Sequence, residues 1–468
     1  MGFIFTNVMS SYGLLAAVLL LVAATVCSQL IRSKRAALFT SMFMLAAAAA
    51  FSAHLILVSV SLSVISIISI NMFSMLFVLL FAVAMMLVNV LSYRHSRDYT
   101  SFAMLASFSF AGIFIVATAA SLISIFIGLE IMAITTAFMI LSDGKHGIES
   151  ATKFFILSSV SIAIFAFALA LILPYSGQLQ LSALSASAIT GNYLIVLAIV
   201  LFAAALAFEA ALFPFNLWTP DVYEGAPGNI TALLAGVNKK VAFVALIEIF
   251  MVVLLAYKSV FSLLFLVLAI VTMFYGNIVA IVQKSVKRMF AYSSISQAGY
   301  IVIGLAAASA FGIEASIFQM VAHAFMIIGA FALILWLESR NIRSIDDYAG
   351  LNSRNRFAAL SLSVLMLSMA GIPPLIGFDG KFLLFSSALS ANMLALAVLG
   401  IINSFISIYY YARVINAMYT SKEHPRLMTD RHVAAVVIAC LVVVVALGIY
   451  PQPLITLATQ ASAAILVL

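Results

Sequence analysis

Residues Tyr193 to Pro214 read YLIVLAIVLFAAALAFEAALFP, an apolar run holding one carboxylate, Glu209, five residues ahead of a proline. Such a run is long enough to cross a bilayer, for which about 20 apolar residues suffice. Pro214 removes a helix hydrogen bond and frees the carbonyl four residues earlier. At membrane depth a freed group is tolerated only where protein or trapped water satisfies it, so the run is predicted to be a broken helix lining a polar interior. Pro373 and Pro374 interrupt a second run in the same way.

The rest of the chain conforms. Of 468 residues 66% are hydrophobic and 8% charged, with a mean hydropathy of +1.25. That leaves too little polar surface to coat a soluble globule of this size. The two cysteines, Cys27 and Cys440, lie in apolar runs, which excludes a disulfide framework or a cysteine metal site. The net charge of +7 comes from short basic clusters between apolar runs, a topogenic pattern that speaks against nucleic acid. The first apolar run lacks a basic leader and a small-residue cleavage site, so it is read as a retained span.

Counting spanning runs gives about fourteen. They cover residues 11 to 31, 37 to 58, 70 to 92, 101 to 119, 121 to 141, 151 to 173, 193 to 213, 229 to 256, 260 to 282, 289 to 310, 314 to 336, 357 to 376, 392 to 418 and 433 to 455. Leu62 to Ile70 is surplus and is expected to lengthen a span or lie in the interface. Alternate loops hold Arg32, Lys34 and Arg35; Arg94 and Arg97; Lys145; Lys284, Lys287 and Arg288; Arg340, Arg343, Arg354 and Arg356; and Lys422, Arg426 and Arg431. These loops are expected to be cytoplasmic, with both termini outside, in the cell membrane of a prokaryote. The expected fold is an all-α polytopic membrane protein. The broken spans are the seventh and twelfth, which fits two inverted five-helix repeats, spans 4 to 8 and 9 to 13. As a single membrane domain it divides into residues 1–100, repeat one at 101–256, repeat two at 257–420, and a last span at 421–468.

A few charges fall inside spans: Glu130, Glu209, Lys239, Lys240, Glu248, Lys381 and Arg413. An ionised group at mid-bilayer costs about 2.5 to 3.5 kcal/mol on insertion scales, so each needs a partner, water or a function. Glu130 lies near the middle of its span, about 15 Å from either interface at the helical rise, and cannot snorkel. It carries protons or is a carboxyl held by a neighbouring helix. Glu209 projects near the break, as a titrating group or a structural one. Lys239 and Lys240 differ in direction by about 100° and face different surroundings. Lys240 and Glu248 are about 12 Å apart along the axis, reachable only through water. Lys381 either terminates a proton path or reaches the interface. Lys153 either snorkels or joins the relay, and His323 either packs between helices or joins it. Arg413, behind three tyrosines, reads as an interfacial anchor.

The stretch Phe213 to Pro227, FPFNLWTPDVYEGAP, resembles the N-type subunits of proton-pumping NADH:quinone oxidoreductases. So do Gly128-Leu129-Glu130, Lys153-Phe154-Phe155, Lys287-Arg288 with Ala291 to Ile295, and Ala370 to Pro374 with Gly377-Phe378 and Gly380-Lys381-Phe382. The likeness runs from about span four to span thirteen. It implies a proton-translocating membrane-arm subunit of a complex I-type oxidoreductase, with no cofactor of its own and with other membrane-arm subunits, lipid and internal water as partners. The resemblance also implies that quinone reduction takes place elsewhere in the complex, on partner subunits. By motif, Glu130 becomes the fifth-helix carboxylate, Lys239 the central lysine and Lys381 the twelfth-helix lysine. Two positions depart: the family's seventh-span lysine is Glu209, and the histidine of its Pro-Phe-His-Leu-Trp motif is Asn216. The family's Glu/Lys pair becomes Glu130 with Glu209, two carboxylates expected to share a proton, with Lys240 as compensation. Two alternatives stay open: a cation/proton antiporter, marked by sodium-dependent transport, and a structural arm subunit with reduced pumping.

Overall fold

A chain in lipid must satisfy its backbone internally, and these apolar runs do so as helices. The computed structural model describes residues 23, 26–27, 33–58, 62–64, 68–141, 145–186, 193–420 and 425–466. The expected first span, Arg32 and Lys422 lie outside the described residues. Among them, eleven helices are long and apolar enough to cross a membrane, and Tyr193–Glu209 and Arg356–Ala370 are shorter apolar helices. The chain forms two compact units: Met1–Glu209 with Val237–Lys258 and Gln460–Leu468, and Ala210–Gly236 with Ser259–Thr459.

The first unit holds Lys34–Val58, Met72–His95, Tyr99–Ala117, Leu122–Leu141, Lys145–Ser176, Tyr193–Glu209 and Lys239–Glu248. Asn71 and Ser74 close a capping box at the start of Met72–His95, and Asp98 caps Tyr99–Ala117 through the amides of Thr100 and Ser101. These caps satisfy amides that lack intrahelical partners. The segment expected to lengthen a span or lie in the interface does not lengthen a span: Leu62–Val64 pairs antiparallel with Ile68–Ile70 as a hairpin. Its sequence, LSVISIISI, is rich in isoleucine and valine, β-branched residues that favour strands.

In the second unit Val286–Ala307 and Ala310–Glu338 form the centre, each with its most apolar window wholly buried. They turn at Ala308, whose φ is 45°, and cross where Gly304 faces Gly312. A Cβ on Gly304 would lie 2.1 Å from the Gly312 carbonyl oxygen, so the approach requires glycine, as small residues at membrane helix crossings allow. Around them stand Lys258–Ile281, Arg356–Ala370, Ile376–Ser390, Leu394–Tyr419 and Arg431–Ile449. The last span ends at Ile449, ahead of Pro451, and a short helix, Gln452–Leu466, follows. The sequence reading had carried that span to 455.

Candidate functional site: buried polar groups at two broken helices

Both prolines break their helices. Tyr193–Glu209 stops at Glu209, Ala211 takes a φ of 57°, and a cis Phe213–Pro214 bond precedes the Trp218–Gly225 helix. Arg356–Ala370 stops at Ala370, Gly371 takes a φ of 91°, and a cis Pro373–Pro374 bond precedes Ile376–Ser390. Each break leaves carbonyls at the negative end of a half-helix.

At the second break a lysine meets them. Lys381 is 3% exposed and donates to the Ala370 carbonyl at 2.9 Å and to Ser404 Oγ at 2.8 Å. Its Nζ stands 4.6 Å from the centre of the Tyr300 ring, a cation–π distance. The Lys381 ammonium is thus spent on groups inside the protein. Beside it, Gln297 Nε2 donates to the Met369 carbonyl at 3.0 Å, and Gln319 Nε2 donates to Gln297 Oε1 at 3.0 Å. His323, four residues beyond Gln319 on the same helix, is buried as well. A further buried cluster joins Asn277 Nδ2 to Asn403 and Tyr410 Oη to Asn277 Oδ1. Gln297, Gln319, Asn277, Asn403 and Ser404 escaped the sequence reading because a search for charges passes over neutral amides and hydroxyls. Their signal was weak: single amides inside apolar runs.

The first break is met differently. Within its unit, the Phe213 amide donates to Thr272 Oγ1 at 3.1 Å. Asn216, where the family motif has histidine, is fully buried, and neither its Oδ1 nor its Nδ2 has a hydrogen-bond partner among the described residues; nor has Thr219 Oγ1. Buried amides and hydroxyls of this kind suit internal water. The motif's charges do structural work: Arg288 binds Asp221 at 3.1 Å and Glu224 at 2.7 Å, and Lys287 binds Glu338 at 3.0 Å and the Ala226 carbonyl at 2.7 Å. Two motifs far apart in sequence thus meet.

In the other unit Glu209, 4% exposed, ends its half-helix with Oε1 lacking a hydrogen-bond partner among the described residues. It lies within electrostatic reach of Glu130. Glu130 is half-buried, midway along Leu122–Leu141. Lys239 and Lys240 are each 1% exposed and begin the α-helical stretch Lys239–Glu248, which has a π-helical turn on either side, Leu234–Asn238 and Ile249–Val253. Such turns widen a helix and cluster at functional sites; no residue pattern announced them. Asn238, the last residue of the first turn, donates to Thr136 Oγ1 at 2.8 Å. Lys153 stands apart: it pairs with Glu149 at 2.7 Å, one helical turn away, with both side chains well exposed. Arg413 spends its guanidinium on the carbonyls of Ile281 and Gln283, fixing the end of Lys258–Ile281. No group of three His, Cys, Asp or Glu residues able to hold a metal occurs among the described residues.

Comparison with known proteins follows the same lines. Residues 119–407 match the family described as NADH:quinone oxidoreductase/Mrp antiporter, transmembrane. Subunit N of the F420H2 dehydrogenase of Methanosarcina mazei is 37% identical, over 84% of this chain and 84% of its own length. Subunit N of the NADH-quinone oxidoreductase of Desulfitobacterium hafniense is 34% identical, over 84% and 85%. A chain of respiratory complex I from Thermus thermophilus superposes with a TM-score of 0.83 at 27% identity, covering 95% of this chain and 99% of that one. A chain of the Mrp complex of a Dietzia species shares the fold, with a TM-score of 0.90 at 20% identity over 97% of each. The chain belongs to the NADH:quinone oxidoreductase/Mrp antiporter family of membrane subunits, among its N-type members.

Proposed function

We propose that this chain is a proton-translocating membrane-arm subunit of a complex I-type oxidoreductase, without redox chemistry of its own and inactive outside the assembly. The observation that carries the reading is the set of buried ionisable groups in each unit, above all Lys381 seated on the Ala370 carbonyl. A structural subunit facing lipid has no use for buried lysines, each a cost of a few kcal/mol unless solvated or paired. A carrier needs groups that gain and lose a proton away from bulk water.

Glu130 and Glu209 form the uptake pair, Lys239 and Lys240 the central station, and His323 and Lys381 the second-unit station. Lys153 and Glu149 lie at the exposed end of a helix and serve the path at most as a collecting charge. Glu130 faces partly outward at mid-membrane, which suits a neighbouring membrane subunit as its cover. The basic loops mark the cytoplasmic side of a cell membrane, with both termini outside. The electrons come from a donor and pass to an acceptor on partner subunits.

The test is proton uptake by vesicles holding the assembled complex, with electron transfer recorded in the same sample. NADH and reduced F420 are tried in turn as donor. Lys239→Ala is expected to lower the protons moved per electron at least twofold. Native coupling in that variant, with the subunit assembled, refutes a relay through Lys239 and leaves a structural arm.

A further inference from the structure

Glu248 has no place in the path above, yet it is 4% exposed, and its Oε2 has no hydrogen-bond partner among the described residues. It ends the α-helical stretch that Lys239 and Lys240 begin, and the π turn Ile249–Val253 follows it at once. That turn rests against the short Leu181–Ala186 helix, in the long connection between the sixth and seventh spans.

Helical geometry separates the two lysines. Lys239 is nine residues from Glu248 and points about 180° away, whereas Lys240 is eight residues away and within about 80° of the same face. The axial distance to Lys240 is about 12 Å, too long for contact and short enough for hydrogen-bonded water to join. The π turn supplies what water needs, since its i→i+5 pattern draws carbonyls out of the regular ladder.

We infer that Glu248 is a further proton-carrying residue of the first unit, exchanging with Lys240 through water and opening toward the face that carries the Leu181–Ala186 helix. The Lys240 ammonium gives a proton to water. That water passes one to the Glu248 carboxylate, leaving a neutral amine and a carboxylic acid. The acid then releases its proton to water at the Leu181–Ala186 face, and the charges balance at each step. This pairing gives the lysine beside Lys239 a role of its own. The inference rests on the proton-translocating reading above.

The experiment compares Glu248→Gln, Glu248→Asp and Lys381→Ala in the vesicle assay, with assembly followed on native gels. Glutamine keeps shape and hydrogen bonding but carries no proton. Glu248→Gln is expected to lower protons per electron at least twofold, and Glu248→Asp to recover more than half of the loss. Native coupling in Glu248→Gln, with coupling lost in Lys381→Ala, overturns the inference alone. Native coupling in both overturns the proton-translocating reading as well. Should Glu248→Gln not assemble, the unaltered complex is treated with dicyclohexylcarbodiimide, which modifies carboxyl groups in apolar surroundings, and its peptides are mapped by mass spectrometry. An adduct on Glu248 supports the inference; its absence beside a labelled Glu130 overturns it.

Discussion

Lys381 and Glu209 occupy comparable places with opposite charge. Each stands at the end of a half-helix where carbonyls point into protein. A cation is favoured at such an end by about 0.3 to 1 kcal/mol, more when partly buried, and Lys381 gains a carbonyl and a hydroxyl besides. Glu209 is the last residue of its half-helix, where a carboxylate meets the dipole with like sign. Replacing Lys381 with methionine removes the charge while Ser404 Oγ still donates to the Ala370 carbonyl at 3.0 Å. Lys381→Met is therefore expected to assemble normally and to lose at least half of its proton pumping, measured as vesicle acidification per electron. Normal pumping there would make Lys381 a cap for the break and count against the proton-translocating reading of this subunit.

Helix starts and breaks decide where these side chains lie. The breaks were legible because proline has no amide hydrogen, and the spans because lipid selects long apolar runs. The π turns around Lys239–Glu248 were not, since LAGVN and IFMVV carry nothing that distinguishes them from ordinary helix. The Leu62–Ile70 hairpin was signalled only by its β-branched residues and hidden by its hydrophobicity. Among the starts, Asp98 is a cap outside the membrane, and hydrogen bonds from Ser101 and Thr100 hold its carboxyl below its usual value of 3.8. A lowered folded value means the cap's contribution is complete above pH 3.8 and is lost as pH falls through the folded value. Amide exchange at Thr100 and Ser101 is expected to rise, relative to mid-helix amides, only below that pH. A rise near neutrality would assign the protection to something other than the carboxylate.

For the whole molecule, the alternation of basic loops gives a direction that the family match leaves open. On the positive-inside reading, Gln178, exposed in the connection after the sixth span, lies outside, and Lys284, exposed after the ninth, lies in the cytoplasm. In a background with Cys27 and Cys440 replaced by alanine, Gln178→Cys is expected to react with a membrane-impermeant maleimide in intact cells. Lys284→Cys is expected to react only after the cells are opened, and the reverse pattern would invert the assigned orientation. The row Gln319 to Gln297 to the Met369 carbonyl has a direction too. Each amide donates one way, and the row ends on a carbonyl with no hydrogen to pass on. Turning the Gln297 amide over would set its oxygen against the Met369 carbonyl oxygen, acceptor against acceptor, and an amide parts with a proton only with difficulty. The row therefore behaves as an insulator: it ties the Ala310–Glu338 helix, through Gln297, to the last turn of Arg356–Ala370 and offers a proton no onward step.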